Sequence, residues 1–127
     1  RLTYAQVSIK EKPAFLFFDF DFSKNTREQF LSMSSGGIVG NLILVMVLLI
    51  SIPLDSSGRI MLLTTAAAMS VYVGILEINV IRRTRAGEEP LAVLTDHFGE
   101  GQALFDRALR GAIVAGIGLW VLLCIVL

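Results

Sequence analysis

Three long apolar runs divide the chain, and each predicts a helix that crosses a membrane. The middle run, Ile60 to Ile81, holds 22 residues and a single charge, Glu77. At about 1.5 Å per residue it makes roughly 33 Å of helix, enough for a hydrocarbon core of about 30 Å. The first run, Gly36 to Ile52, is closed by Pro53, and the third covers 103–127, with no charge from Gly111 to Leu127. Residues 53–59, PLDSSGR, read as a short turn, so the first two spans form an antiparallel helical hairpin. The pattern predicts an all-α membrane protein with three transmembrane helices at 36–52, 60–81 and 103–127.

The segment before the first span is different in kind. Residues 1–12 alternate loosely between apolar and polar, as a short strand or extended arm does. Five of the eight phenylalanines then crowd into 13–22: Phe15, Phe17, Phe18, Phe20 and Phe22. That stretch is too short to span and too apolar to float free. It is expected to lie on the membrane surface or against a partner subunit. Residues 25–34 have the pattern of a short amphipathic helix, with Thr26 and Gln29 as a capping box. The chain therefore divides into an interfacial arm, 1–35, and a three-helix domain, 36–127, with a polar loop at 82–102. Within that loop Pro90 can open a short helix that Gly99 stops, and its carboxylates and His97 are read as solvated or as contacts to a partner.

Small residues mark candidate packing faces. Gly36 and Gly40 form one G-x-x-x-G step in the first span. Ala66, Ser70 and Gly74 repeat at four in the second, and Ala108, Ala112 and Gly116 do so in the third. The last of these stripes is the best developed. Asn41, Glu77, Asn79 and Arg110 are expected at similar depth near one end of the spans, as an intramembrane polar cluster in which Glu77 pairs with Arg110 or with an arginine of its own flank, unless it lies near enough to the interface to reach water. A charge at the bilayer centre costs at least about 2.5 kcal/mol, so Glu77 needs a partner, water or a proton.

Charge sets the expected orientation. Five basic residues precede the first span, five more lie between Arg82 and Arg110, and the hairpin turn has only Arg59. This distribution places the N-terminus and the 82–102 loop inside, in cytoplasm, matrix or stroma, and the C-terminus outside. Basic and acidic residues balance at 11 each, which gives no electrostatic case for nucleic acid. The single cysteine, Cys124, cannot form an internal disulfide.

The chemistry is sparse. The D-F-D triplet at 19–21 is read as solvated carboxylates rather than as a metal site. No span contains a histidine to ligate haem, and no hydrolase, zincin or phosphate-loop motif occurs, so neither a metal nor a cofactor is expected. The sequence points to a non-catalytic accessory subunit of a larger integral membrane complex. Its partners would be other membrane subunits and the lipid bilayer. Energy-converting assemblies of bacterial or organellar inner membranes, for electron transport or photosynthesis, are the expected setting, because they often carry small polytopic subunits. The alternative is a homo-oligomeric channel or proton-coupled carrier with Glu77 in its path.

Overall fold

The computed structural model describes residues 7–12 and 15–127, with side chains from Phe20 onward. Two short strands come first, β1 (Val7–Lys12) and β2 (Phe15–Phe20), paired antiparallel with Val7 opposite Phe20 and Lys12 opposite Phe15. Four helices follow: α1 (Arg27–Ser51), α2 (Ser57–Arg85), α3 (Pro90–Gly99) and α4 (Gln102–Val126). Three of them, α1, α2 and α4, are long and apolar enough to cross a membrane, and the protein is membrane-embedded.

Helix α1 starts earlier than the apolar run alone suggests. Thr26 and Gln29 exchange the two bonds of a capping box, Gln29 N to Thr26 Oγ1 at 3.3 Å and Thr26 N to Gln29 Oε1 at 2.7 Å. From there the helix is unbroken, so the separate amphipathic helix expected over 25–34 is instead the first turns of α1. Ser34, Ser35, Gly36 and Gly37 weaken the helix without stopping it, because only proline removes a backbone donor. Pro53 ends the run, and Ser56 caps α2 by accepting from Arg59 N.

At 29 residues, α2 is about 44 Å long, so it outreaches the hydrocarbon core and carries its terminal arginines beyond it. A Schellman turn closes it. Gly87, at φ 107°, bonds Thr84 O, and Glu88 N reaches Arg83 O. Pro90 then occupies the first turn of α3, and Gly101, at φ 58°, leads into α4.

Helix α2 sits between the other two spans. It packs against α1 on one side and α4 on another, while α1 and α4 make no comparable contact. Against α4 the approach is close: a Cβ on Gly116 would stand 3.0 Å from Ala68 Cβ, and one on Gly111 would stand 2.6 Å from Ile75 Cδ1. Ala108 and Ala112 are buried beside them. The α2 face that meets these glycines is Thr64, Ala68, Val71 and Ile75, at helical spacing. Ala66, Ser70 and Gly74 lie on another face, so the expected stripe is not the α4 contact line. Gly36, Gly40 and Gly74 have open space where a Cβ would be, so the G-x-x-x-G step of α1 makes no close helix crossing here.

The densest core lies at the α3 end, where Phe30, Val80 and Val93 are buried together and Phe20, Phe22, Leu94 and Phe98 pack around them. The Phe20, Phe22 and Phe30 rings sit 4.9 to 5.6 Å apart. Phe20 and Phe22 thus pack against Phe30 of their own chain and keep part of each ring exposed. The side chains of Phe15, Phe17 and Phe18 lie outside the described residues.

Candidate functional site

Among the described residues, polar side chains from three helices converge at the junction of α1, α2 and α3. Helix α3 has one apolar stripe, Pro90, Val93 and His97, all buried against its neighbours. Its spacing brings His97 down onto the last third of α2, where Nε2 stands 2.9 Å from Leu76 O. A carbonyl only accepts, so Nε2 carries the hydrogen. His97 is 4% exposed, and its Nδ1 has no hydrogen-bond partner. The next residue along α2, Glu77, has His97 of α3 and the Ser34 side chain of α1 as its polar neighbours. Ser34 is buried and Glu77 is half-buried.

Arg83 fastens α3 from outside this junction. Its guanidinium donates through Nε to Glu88 at 3.0 Å and through Nη1 to Asp96. The planar fork suits this double grip. The Arg83 guanidinium holds the Glu88 carboxyl below its ordinary range. Arg27 of α1 adds a 3.1 Å bond to Gly87 O, and Arg107 pairs with Glu100 at 3.2 Å.

Only one member of the expected intramembrane cluster belongs to the junction. Asn41 turns back to Gly37 O at 3.0 Å, and Asn79 accepts from Arg82 at 3.0 Å. Arg110 is exposed and forms no ion pair with Glu77. It sits two turns into α4, and α4 meets α2 through alanine and glycine on a different side. Ser34 and His97 are what the sequence reading missed. Ser34 is hidden in a serine- and glycine-rich stretch. The signal for His97 was its place seven residues after Pro90, on the apolar side of a short helix.

The junction does not have the order of a hydrolytic triad. Ser34 neighbours the carboxyl, and the imidazole spends Nε2 on a backbone oxygen instead of on a hydroxyl. Among the described residues no three of His, Cys, Asp and Glu come together in a way that could hold a metal ion. Asp21 of the D-F-D triplet is occupied by Ser23 at 2.6 Å and Lys24 at 3.1 Å.

Along the membrane span, α2 and α4 also border an open apolar groove of about 710 Å³, lined by Ala68, Tyr72, Phe105, Ile113 and Trp120 among others. No protein-family model matches this chain, and neither the curated proteins nor the solved structures compared with it give a match.

Proposed function

We propose that this chain is a non-catalytic subunit of a larger integral membrane complex, its work being to fill and brace a site among other membrane subunits. The observation that carries this reading is the arrangement of the spans. Three helices with α2 between α1 and α4 enclose no pathway of their own, and their apolar flanks stay uncovered. Helix α1 alone presents Leu42, Ile43, Met46 and Ile50 outward, and the α2–α4 groove adds a second open apolar surface. These faces suit lipid and the helices of neighbouring subunits. The arginine-rich α3 end lies on the inner side of the membrane in this reading, by the positive-inside rule. An energy-converting inner membrane is the proposed setting.

The test is gentle extraction from the native membrane, followed by a native gel and mass spectrometry of what travels with the chain. Stoichiometric co-migration with a large assembly is expected. Migration alone or as a homo-oligomer would overturn the reading. It would favour instead an oligomeric channel or proton-coupled carrier, for which the half-buried Glu77 beside His97 is the supporting observation. In that case Glu77→Gln abolishes transport while the oligomer still assembles.

A further inference from the structure

The open groove between α2 and α4 has a definite depth in the membrane. A Cβ on Gly111 would touch Ile75. Gly111, where the charge-free part of α4 begins, therefore lies level with Leu76, where that of α2 ends. This level is one edge of the hydrocarbon, on the side where α3 lies. Arg110 and Trp120 are ten residues apart, or about 15 Å of helix, half of a core of about 30 Å. The groove thus covers one leaflet, with Gln102 and Asp106 at its mouth and Trp120 at its deep end. A helix as long as the groove, about 10 Å across, displaces on the order of 2000 Å³ and would stay mostly outside it. A groove of about 710 Å³ suits something thinner, such as an extended hydrocarbon chain.

Its polar groups are ordered along its length. The hydroxyls of Thr64 and Thr65 are both bonded to Met61 O and need nothing more. The Tyr72 hydroxyl has no hydrogen-bond partner among the described residues, although it lines an apolar groove. Tyr72 lies one turn deeper than Leu76, so its hydroxyl needs an acceptor that the occupant brings.

At the mouth, Asp106 accepts from Gln102 Nε2 at 2.9 Å. Arg110 follows four residues later, on the same side of α4 and closer to the hydrocarbon. Arg107 is taken by Glu100, whereas Arg110 has no hydrogen-bond or ion-pair partner among the described residues. Two opposite charges therefore stand one turn apart at the membrane surface without pairing.

We propose that this groove holds one phospholipid of the leaflet on the α3 side, with a primary ammonium in its headgroup. Its ammonium meets Asp106, its phosphate meets Arg110, an ester carbonyl accepts from the Tyr72 hydroxyl, and one acyl chain runs down to Trp120. Ammonium, phosphate, ester and chain follow one another inward in such a lipid, as Asp106, Arg110, Tyr72 and Trp120 do along the groove. An anionic headgroup without an ammonium would leave Asp106 facing a like charge. A neighbouring helix brings no such series, since its backbone carbonyls are taken by its own ladder. The outward face of α1 remains for other subunits, and the lipid site stands independently of the accessory-subunit reading.

For the test, the full-length chain in detergent micelles is titrated with phosphatidylethanolamine, phosphatidylcholine and phosphatidylglycerol of matched chains. Native mass spectrometry counts the lipid retained. One phosphatidylethanolamine per chain is expected to be held most tightly. Arg110→Gln should weaken it about tenfold, the scale of a charged hydrogen bond. Tyr72→Phe should weaken it about threefold, the scale of a hydrogen bond within the membrane. Asp106→Asn should erase the preference for ethanolamine over choline while a lipid is still retained. Arg110 is exposed, so its variant tests the site without disturbing the packing of α2 on α4. Equal retention of the three lipids, tighter retention of phosphatidylglycerol, or wild-type retention by Arg110→Gln would overturn the proposal.

A small diazirine amino acid at Leu109, which lines the groove, reads the occupant in the native membrane. An adduct with the mass of phosphatidylethanolamine is expected. Crosslinking to another protein or to a second copy of this chain would overturn the proposal.

Discussion

His97 Nε2 lies 2.9 Å from the carbonyl oxygen of Leu76, joining the last turn of the short helix α3 to the backbone of the central span. That oxygen already belongs to the helix ladder of α2, so the imidazole uses its second lone pair. His97→Ala deletes both this bond and the volume of a buried ring. A loss of about 1–3 kcal/mol from α3 docking is expected. Limited proteolysis between Arg85 and Gln102 measures it: cleavage should accelerate while the three spans remain intact.

The α2–α4 crossing makes a finer prediction, because the closer contact is the more forgiving one. An added Cβ at Gly111 comes within 2.6 Å of Ile75 Cδ1, the end of a flexible side chain that can rotate away. At Gly116 the neighbour at 3.0 Å is Ala68 Cβ, with Thr64 O at 3.6 Å, and both move only with the α2 backbone. Gly116→Ala should therefore destabilise more than Gly111→Ala, and Gly116→Leu should cost about 1–3 kcal/mol or more. Gly36→Ala and Gly40→Ala meet open space and should be neutral or stabilising by up to about 1 kcal/mol. Denaturation in mixed detergent micelles ranks the four alanine variants.

Much of the fold was readable in the chain, and much of the site was not. Apolar runs report spans directly, because lipid leaves the backbone few options. Pro90 and Gly99 bracketed α3 through local rules about helix ends. Which face of a span meets which neighbour is not local. Ala66, Ser70 and Gly74 look like a contact line, yet α2 turns Ala68 and Ile75 toward the α4 glycines. Ser34 and His97 approach Glu77 from two other helices; the apolar side of α3 marks His97 as buried but not what it is buried against, and Ser34 has no such mark. Glu77 was recognisable because an acid in an apolar run is conspicuous by itself. Its neighbours become so only after folding.

The phenylalanine cluster separates a core residue from its covering. Phe30 is 2% exposed, whereas Phe20 and Phe22 are half-buried around it. Phe30→Ala should cost about 3–5 kcal/mol, and Phe22→Ala clearly less, since part of its ring already meets solvent or lipid. Hydrogen exchange at Val80 and Val93, which share the cluster, should rise in the same order.

Acid should loosen the α3 end before it affects the spans. Arg83 holds the Glu88 carboxyl below its ordinary value of 4.5, and Ser23 and Lys24 hold Asp21 down to about 2 from 3.8. A depressed carboxyl stabilises the folded form at pH above its unfolded value. The contribution fades as pH falls from that value through the lower folded one. Glu88 therefore begins to let go of Arg83 below about pH 4.5, and the Asp21 turn persists until pH approaches about 2. Both groups are at the surface, so each contribution is modest and screened by salt. Arg83 is the shared element of the α3 clamp, and Arg83→Gln should reproduce at neutral pH the loosening of α3 that acid produces in the wild type. Lysine at the same position should restore one of the two contacts but not the forked grip on both Glu88 and Asp96. Exchange in 90–99 at pH 7 and pH 4, with and without 0.5 M salt as a roughly 4 Å screening length, separates the variants. If Arg83→Gln leaves that exchange unchanged at neutral pH, the clamp contributes nothing to α3, and His97 with the Val93 packing holds the helix alone.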